Sequence, residues 1–593
     1  MNTLLILVMA TMKETEQLSY SKKIGINGQI EYTWSNFSEE KLMQFYYQLV
    51  RTESINHQYD LMNILNELIT TFKTKEKGIM EDIHSLAYLY KLIGYTRDII
   101  KGKGERTLTY MQIYVWYHHF PKLAEYAIKS LVYFLTPEGN VNNKEHQYGS
   151  WNDIKYFCST MYNLTQDYYH PLINYALSLI TNQLLVDKTM MNINRPISLA
   201  AKHTPKEKSK YNWMFNRIAY NIFPYETTCS CRKLRKEFLS PLNNYLKTTE
   251  HLMCENRWDE IEFNKVSSQS LRKHKGAWTK HCHLNYNYYL DQVTHNNEKI
   301  KGSNCQIYEL VKDAMNAKNQ QDIDLVNLQW RDFQQSIICF KNMLALCDNS
   351  EMMLQDNAIH YYTAIGLSIL ISEKTSVAFK DRVLVFNNEP HWVNLKECKT
   401  FYDKVKKMTV VVKGGQSKFY KTIELLIKAL NEARISSRDI EKMIIVVLSD
   451  MQITNTNKFN TYNKHNTHNT HNNHNTHNTH KHNTHNTHNN HKHNNLLDTM
   501  TNTIDIYFKD AFMKTPHFLL WNLRKTDGFP CRSSNNNITL YSGYNAKMLN
   551  YFTSNGLSSL KYQTPYIMLQ DMLSNRRYKS LERYIYNYFI PLK

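Results

Sequence analysis

No run of apolar residues in this 593-residue chain approaches the roughly 18–20 needed to cross a bilayer, so no membrane-spanning helix is expected. The opening run, Met1 to Ala10, is short, has no basic residue before it and meets Lys13-Glu14, which argues against a secretory signal. The ten cysteines are scattered and form no compact disulfide framework, so a reducing, intracellular and cytoplasmic setting is expected. Cys229-Ser-Cys231 and His281-Cys282-His283 lack the spacing of a tetrahedral zinc site. Also missing are a phosphate-binding Gly-rich loop ending in Lys-Ser/Thr, a nucleophile elbow and a His-Glu-x-x-His helix. The chain therefore reads as a non-enzyme with no evident small-molecule substrate. Acidic residues are in short supply, 53 against 72 Lys+Arg, for a formal net charge of +19. That balance favours a polyanionic partner, nucleic acid ahead of an acidic membrane.

The chain is long enough for two to four domains. Residues 39–334 read as helical. Ile83, Leu86, Leu89, Tyr90 and Ile93 line one helix face, Met111–Leu135 continues the pattern with Pro121 at a helix start, and Leu172–Leu185 and Leu239–Met253 share the period. Helices in series imply a HEAT-like solenoid or an irregular bundle. Residues 1–38 form an N-terminal extension.

From about Gln335 the pattern changes. Met343–Cys347, Arg382–Phe386, Met443–Leu448 and His517–Trp521 read as strands, with helices at Ala358–Glu373 and Ser417–Ala433 between them. Strands alternating with helices predict βαβ units and a mostly parallel, doubly wound, Rossmann-like sheet over 335–593. Residues 455–495 stand apart. They are Asn, His and Thr in a near three-residue repeat, hold eleven of the 26 histidines, and have too few apolar groups to offset the entropy of ordering. A disordered loop is expected there. The open readings are functional, as opportunistic transition-metal binding or a pH-dependent charge, or an expanded repeat tolerated on a surface loop.

Three loops carry the chemistry. One strand ends in Asp348-Asn-Ser350-Glu-Met352, another in Ser449-Asp450, and Gly414-Gly-Gln-Ser417 precedes a helix. Ligands of parallel sheets bind beyond the carboxyl ends of the strands. Carboxylates and hydroxyls gathered there suit a hard cation such as Mg²⁺ that keeps a coordination position open. Two basic clusters are the other candidates. Arg97, Lys101, Lys103 and Arg106 lie in one Gly-punctuated turn, where they either neutralise phosphates, or Arg97, Asp98, Glu105 and Arg106 pair with each other to staple two helices. Lys202, His203, Lys206, Lys208 and Lys210 form a second cluster, read either as a nucleic-acid contact or as a solvated loop. Trp151 and Trp521 read as core residues.

The three loops resemble the metal-ion-dependent adhesion site of the von Willebrand factor A (vWA) fold. Asp348 and Ser350 match the first two positions of its Asp-x-Ser-x-Ser loop, Ser417 stands where Thr is usual, and Asp450 matches the later Asp. The resemblance implies a Mg²⁺ site of Asp348, Ser350, Ser417 and Asp450, degenerate because Met352 replaces the third hydroxyl and thioethers suit hard cations poorly.

A wider resemblance rests on ordered motifs. These are Gly94–Arg106, Tyr148-Gly-Ser-Trp151-Asn-Asp153-Ile-Lys155, Ile197-Ser-Leu-Ala-Ala-Lys202-His203, Phe263–Ser268, Leu448-Ser-Asp450-Met-Gln452 and Trp521-Asn-Leu-Arg524. Together they resemble domain-of-unknown-function family 2828 from about residue 40 to the C-terminus. That family in turn resembles the TROVE-plus-vWA architecture of Ro ribonucleoprotein autoantigens. This implies a TROVE-like helical domain that binds small structured or misfolded RNAs and their single-stranded ends. The alternative is a protein-interaction module whose vWA metal site captures an acidic side chain of a partner. A third reading, a metal-dependent nuclease, has only the two carboxylates behind it.

Overall fold

In a computed structural model, the structure describes residues 21–74, 79–142, 144–226, 229–295, 300–338, 342–410, 418–453, 499–555 and 564–590. The 455–495 repeat, Ser417 and the Gly414–Gln416 segment lie outside them.

The first half is helical, as its 3.6-residue period requires. Pro121 opens the helix Pro121–Val132 at its first turn, where a missing N–H costs nothing. The expected helix at 172–185 runs over Pro171–Asn192. The 239–253 segment is broken instead, with short helices at Ser240–Tyr245 and Thr249–Cys254. Lys247 between them takes the left-handed conformation (φ 46°), which ends a helix.

The second half is a six-stranded sheet. Its strands are β3 (Met343–Asp348), β4 (Arg382–Phe386), β5 (His391–Asn394), β6 (Ile444–Ser449), β7 (His517–Asn522) and β8 (Ile538–Ser542), after a small hairpin of β1 (Lys22–Ile24) and β2 (Ile30–Tyr32). The order is β5-β4-β3-β6-β7-β8. All neighbours run parallel except β5, which pairs antiparallel with β4 at one edge. Strands β3, β6 and β7 are buried throughout, as their continuous apolar runs demand. The helix Ile359–Lys374 packs against β3, β4 and β6. The chain leaves β3 toward β4 on one side and later returns to β6 on the other, so the topological switch lies between β3 and β6. The fold is a helical region followed by a doubly wound α/β region.

The two halves share one core. A single cluster of buried side chains runs from Tyr32 through the helices and the sheet to Ile585. A separate small core surrounds Trp278, Phe263 and Leu290. The C-terminal helix Lys579–Phe589 packs on the helix Ile79–Arg97, and both Ser38–Gln48 and Pro565–Leu573 pack on β8. Residues 21–32 are more than an extension, because Tyr32 exchanges two backbone hydrogen bonds with Phe529, 2.9 and 3.0 Å.

Candidate functional site

The switch point brings Asp348 and Asp450 to the ends of adjacent parallel strands, with Cys347 in register with Leu448. Both carboxylates are fully buried. Asp348 accepts the Ser350 N–H on Oδ1 at 2.9 Å and the Ser449 hydroxyl on Oδ2 at 2.5 Å. Asp450 accepts the Gln452 N–H on Oδ1 at 3.0 Å, while its buried Oδ2 has no hydrogen-bond partner among the described residues. Burial, and then the neighbouring Asp348 charge, push the Asp450 carboxyl far above the usual carboxylate range, against the pull of the Gln452 N–H and Arg524. Met451, the next residue, is held left-handed (φ 61°), a strain of about 1–3 kcal/mol for a non-glycine residue. The hairpin steadies this loop from outside: Asn27 Nδ2 donates to the Gln452 carbonyl at 2.6 Å, and Gln29 Nε2 to its side chain at 3.0 Å.

Three residues join the four that the resemblance assigned to this site, and of these only Ser449 stood in a loop already read as part of it. Ser449 bonds Asp348 directly. Asn522, at the end of β7 and in register with Ser449, is fully buried, and its Nδ2 has no partner among the described residues. Arg524 stands at the mouth, its guanidinium 3.9 Å from Asp450 Oδ2 and 3.3 Å from Asp356 Oδ2. The Asn522-x-Arg524 pair sits in a motif already picked out, but nothing in its spacing ties it to Asp450. Ser350 is buried and contributes its backbone N–H to Asp348. Met352 lies in the short turn Glu351–Leu354, and its sulfur accepts from Gln355 at 3.3 Å. The donor set of Asp348, Asp450, Ser350 and Ser449 is hard oxygen, which suits Mg²⁺ rather than a soft metal. Among the described residues no three His, Cys, Asp or Glu side chains gather in a metal-holding group. A cation here would therefore rest on two carboxylates, hydroxyls and water.

The first basic cluster divides. Arg97 is buried and holds Asp153 with two bonds, 2.6 and 2.9 Å; Asp153 also accepts the Tyr110 hydroxyl at 2.6 Å. Lys103 is 2% exposed, and its Nζ donates to the carbonyls of Tyr46 and Leu49 and to the Ser542 hydroxyl, joining helices to β8. Burial drives its pKa well down. Arg97, Asp98, Glu105 and Arg106 do not pair with each other as the staple reading has it: Arg97 and Arg106 turn to Asp153, and Glu105 to Arg51. Arg97 and Lys103 are nonetheless buried and satisfied, with no face to offer a phosphate. Their expected role as nucleic-acid contacts is corrected accordingly. Asp98 likewise clamps Arg577 at 2.7 and 2.8 Å, across the two halves. Lys101 is exposed, and the Arg106 side chain is 42% exposed.

The second cluster meets the first on the surface. Arg106 lies 5.1 Å from the Tyr156 ring, Lys155 lies 4.9 Å from Tyr156 and 5.6 Å from Tyr211, and Lys210 lies 5.2 Å from Tyr211. The two tyrosine rings meet edge to face at 6.3 Å. Lys206, Lys208 and Lys210 are exposed. Lys202 is paired with Glu250 at 2.9 Å. Burial, then the Lys202 and Lys155 charges, push His203 down to about 4, so it is neutral at pH 7. Lys155 closes one of the ordered motifs but was not read as a nucleic-acid contact, nor were Tyr156 and Tyr211, and alternation of Lys and Tyr at 155–156 and 210–211 was the available signal. Trp151 and Trp521 are core residues, 5% and 0% exposed, and Trp521 Nε1 donates to the Gly543 carbonyl at 2.7 Å.

A helical region sharing its core with a doubly wound sheet, and a carboxylate pair at the switch point, define a two-part protein, helical and then α/β. Comparison with known families agrees with this division. Residues 159–338 match the domain of unknown function DUF2828, and residues 342–579 match a second one, DUF7788. Of the six ordered motifs, Ile197–His203 and Phe263–Ser268 lie within the DUF2828 match, Leu448–Gln452 and Trp521–Arg524 lie within the DUF7788 match, and Gly94–Arg106 and Tyr148–Lys155 precede both. The Uncharacterized protein L728 of Acanthamoeba polyphaga mimivirus is 27% identical over 416 residues, 65% of this chain and 68% of that protein. Among solved structures, the Deinococcus radiodurans Ro (RSR) protein aligns with 87% of this chain and 99% of its own, at a TM-score of 0.39 and 11% identity. No helix among the described residues is long and apolar enough to cross a membrane.

Proposed function

We propose that this protein is a non-enzymatic RNA-binding protein that takes single-stranded or partly structured RNA on the surface formed by Arg106, Lys155, Lys206, Lys208 and Lys210. The observation that carries this reading is the interleaving of cations with half-buried tyrosines. Arg106, Lys155 and Lys210 each lie within 6 Å of Tyr156 or Tyr211. Cations neutralise phosphates, and ring faces accept unpaired bases of any sequence. The net charge of +19 acts in the same direction over longer range. The test is binding of the full chain to a labelled single-stranded RNA across a salt series. Affinity should fall steeply with salt, because phosphate contacts release counterions. Absence of salt-dependent binding at low ionic strength overturns the reading.

A second reading concerns the switch point. The Asp450 oxygen that lacks a hydrogen-bond partner, beside Asp348, favours a cation, and a Mg²⁺ held there would leave a position for an acidic side chain of a protein partner. Magnesium-dependent capture of an acidic protein, lost in Asp450→Asn, would support it.

A further inference from the structure

A cavity of about 590 Å³ lies where the helical half meets the α/β half, and its volume is that of a small-molecule site. Its apolar wall includes the rings of Tyr95, Tyr541 and Tyr578, all buried. Two lysines line it as well, Lys101 from the turn after the helix Ile79–Arg97 and Lys547 from the turn after β8. Asn545 Nδ2 donates to the Gly102 carbonyl at 2.7 Å, which fixes the two lysine-bearing turns against each other.

The charge balance at Lys547 is incomplete. Burial lowers its pKa, with Asp98 and Asp332 pulling the other way. Both carboxylates are committed elsewhere: Asp98 to Arg577, and Asp332 to the N–H groups of Gly302 and Ser303 at 2.7 Å each. The Lys547 ammonium donates to Asn304 Oδ1 at 3.2 Å, and neither Lys547 nor Lys101 forms an ion pair among the described residues. A partly desolvated ammonium facing a cavity is stabilised by an anion entering that cavity. The neighbouring aromatic wall suits a flat ring on the same molecule. Asp571 lines the cavity too and accepts the Tyr551 hydroxyl; a carboxylate has lone pairs to accept from further hydroxyls.

We propose that this cavity binds a nucleoside monophosphate. Its phosphate lies on Lys101 and Lys547, its base against the tyrosine wall, and a sugar hydroxyl donates to Asp571. The sequence pointed to no small-molecule ligand because the lining comes from segments more than 400 residues apart, Tyr95 and Lys101 at one end and Lys547 and Asp571 at the other. The same ring-and-phosphate chemistry exists at the end of an RNA strand, so the experiment separates the two sources.

The full chain is titrated with AMP and UMP, with adenosine and inorganic phosphate as controls, by calorimetry and by melting temperature. The expected result is saturable binding of a mononucleotide that raises the melting temperature, with each control markedly weaker. Lys547→Met should weaken it about tenfold, the size of one lost charge-assisted hydrogen bond. Lys101→Ala should do likewise, and since Lys101 is exposed this variant keeps the test open if Lys547→Met fails to fold. Competition of labelled AMP by a 5′-phosphorylated dinucleotide assigns the site to RNA ends, and lack of competition assigns it to free nucleotide. No binding of any nucleotide at millimolar concentration, or unchanged binding in both lysine variants, overturns the proposal.

Discussion

Arg97 grips Asp153 through two parallel bonds of 2.6 and 2.9 Å in the interior of the helical region. The pair ties the end of the helix Ile79–Arg97 to the start of the helix Asn152–Thr165. Breaking a buried pair leaves an uncompensated charge, so Arg97→Ala or Asp153→Ala should each cost about 3–5 kcal/mol. The double variant should cost less than the sum of the two. Denaturant unfolding checks this, and additive losses would show that the residues act independently.

His517 carries a pH dependence. It is buried at the start of β7, its Nε2 is 2.6 Å from the Thr539 hydroxyl, and its Nδ1 has no partner among the described residues. Burial pushes its pKa down to about 4 from 6.5. The folded state therefore holds this ring neutral while the unfolded chain would protonate it. Unfolding takes up a proton between those values, so stability is complete above about pH 6.5 and is lost as pH falls toward 4. At pH 5 the loss from this residue is about 2 kcal/mol, from 1.36 kcal/mol per pKa unit. His517→Asn should flatten the slope of stability against pH in that window. An unchanged slope would exclude His517 as its source.

The switch-point site makes a prediction about magnesium. If Asp348, Ser350 and Asp450 hold the ion, Mg²⁺ should raise the melting temperature in a saturable way, because a ligand that binds only the folded state stabilises it. Asp450→Asn should abolish the response, and Met352→Ser should shift it to lower magnesium concentration by supplying a hard oxygen. Arg524 lies 3.9 Å from Asp450, so Arg524→Gln should also tighten magnesium by removing a competing cation. A melting temperature indifferent to magnesium in all four proteins would remove the ion from the account.

How far the sequence disclosed these features follows from how local each signal is. Strand β6 was plain because Ile444–Leu448 is an unbroken apolar run, which only a strand buried on both faces needs. Strand β5, with only Val393 fully buried among its four residues, and β8, five residues including Thr and Ser, were not found: edges and short strands carry little pattern. The two carboxylates were found because parallel sheets place loops predictably. Arg524 was not assigned a role because only the folded chain brings it to Asp450. The burial of Lys103 was equally hidden, since its partners Tyr46 and Ser542 lie 57 and 439 residues away. Gly-punctuated cations read the same whether they face solvent or the core.

The RNA surface allows charge and stacking to be tested separately. Arg106, Lys155 and Lys210 are the cations nearest Tyr156 and Tyr211, and none of the three forms part of the buried Arg97–Asp153 bond pair, although Arg106 Nε lies 3.7 Å from Asp153. On a single strand each neutralised phosphate contributes about −0.7 to the slope of log affinity against log salt. The variant Arg106→Ala/Lys155→Ala/Lys210→Ala should therefore flatten that slope by up to about 2 units. Tyr156→Ala and Tyr211→Ala remove ring faces and no charge. Each should weaken binding by about 1–3 kcal/mol if it stacks a base, and leave the slope as it was. An RNA held in a duplex should be indifferent to the tyrosine changes, because its bases are already stacked. Arg97→Ala is the control from the interior: loss of RNA binding there should track loss of folded protein. If the triple variant keeps the full salt slope, the charge responsible lies elsewhere on the molecule. If the tyrosine variants bind as tightly as the parent, the contact is to phosphate alone and the preference for unpaired bases is gone.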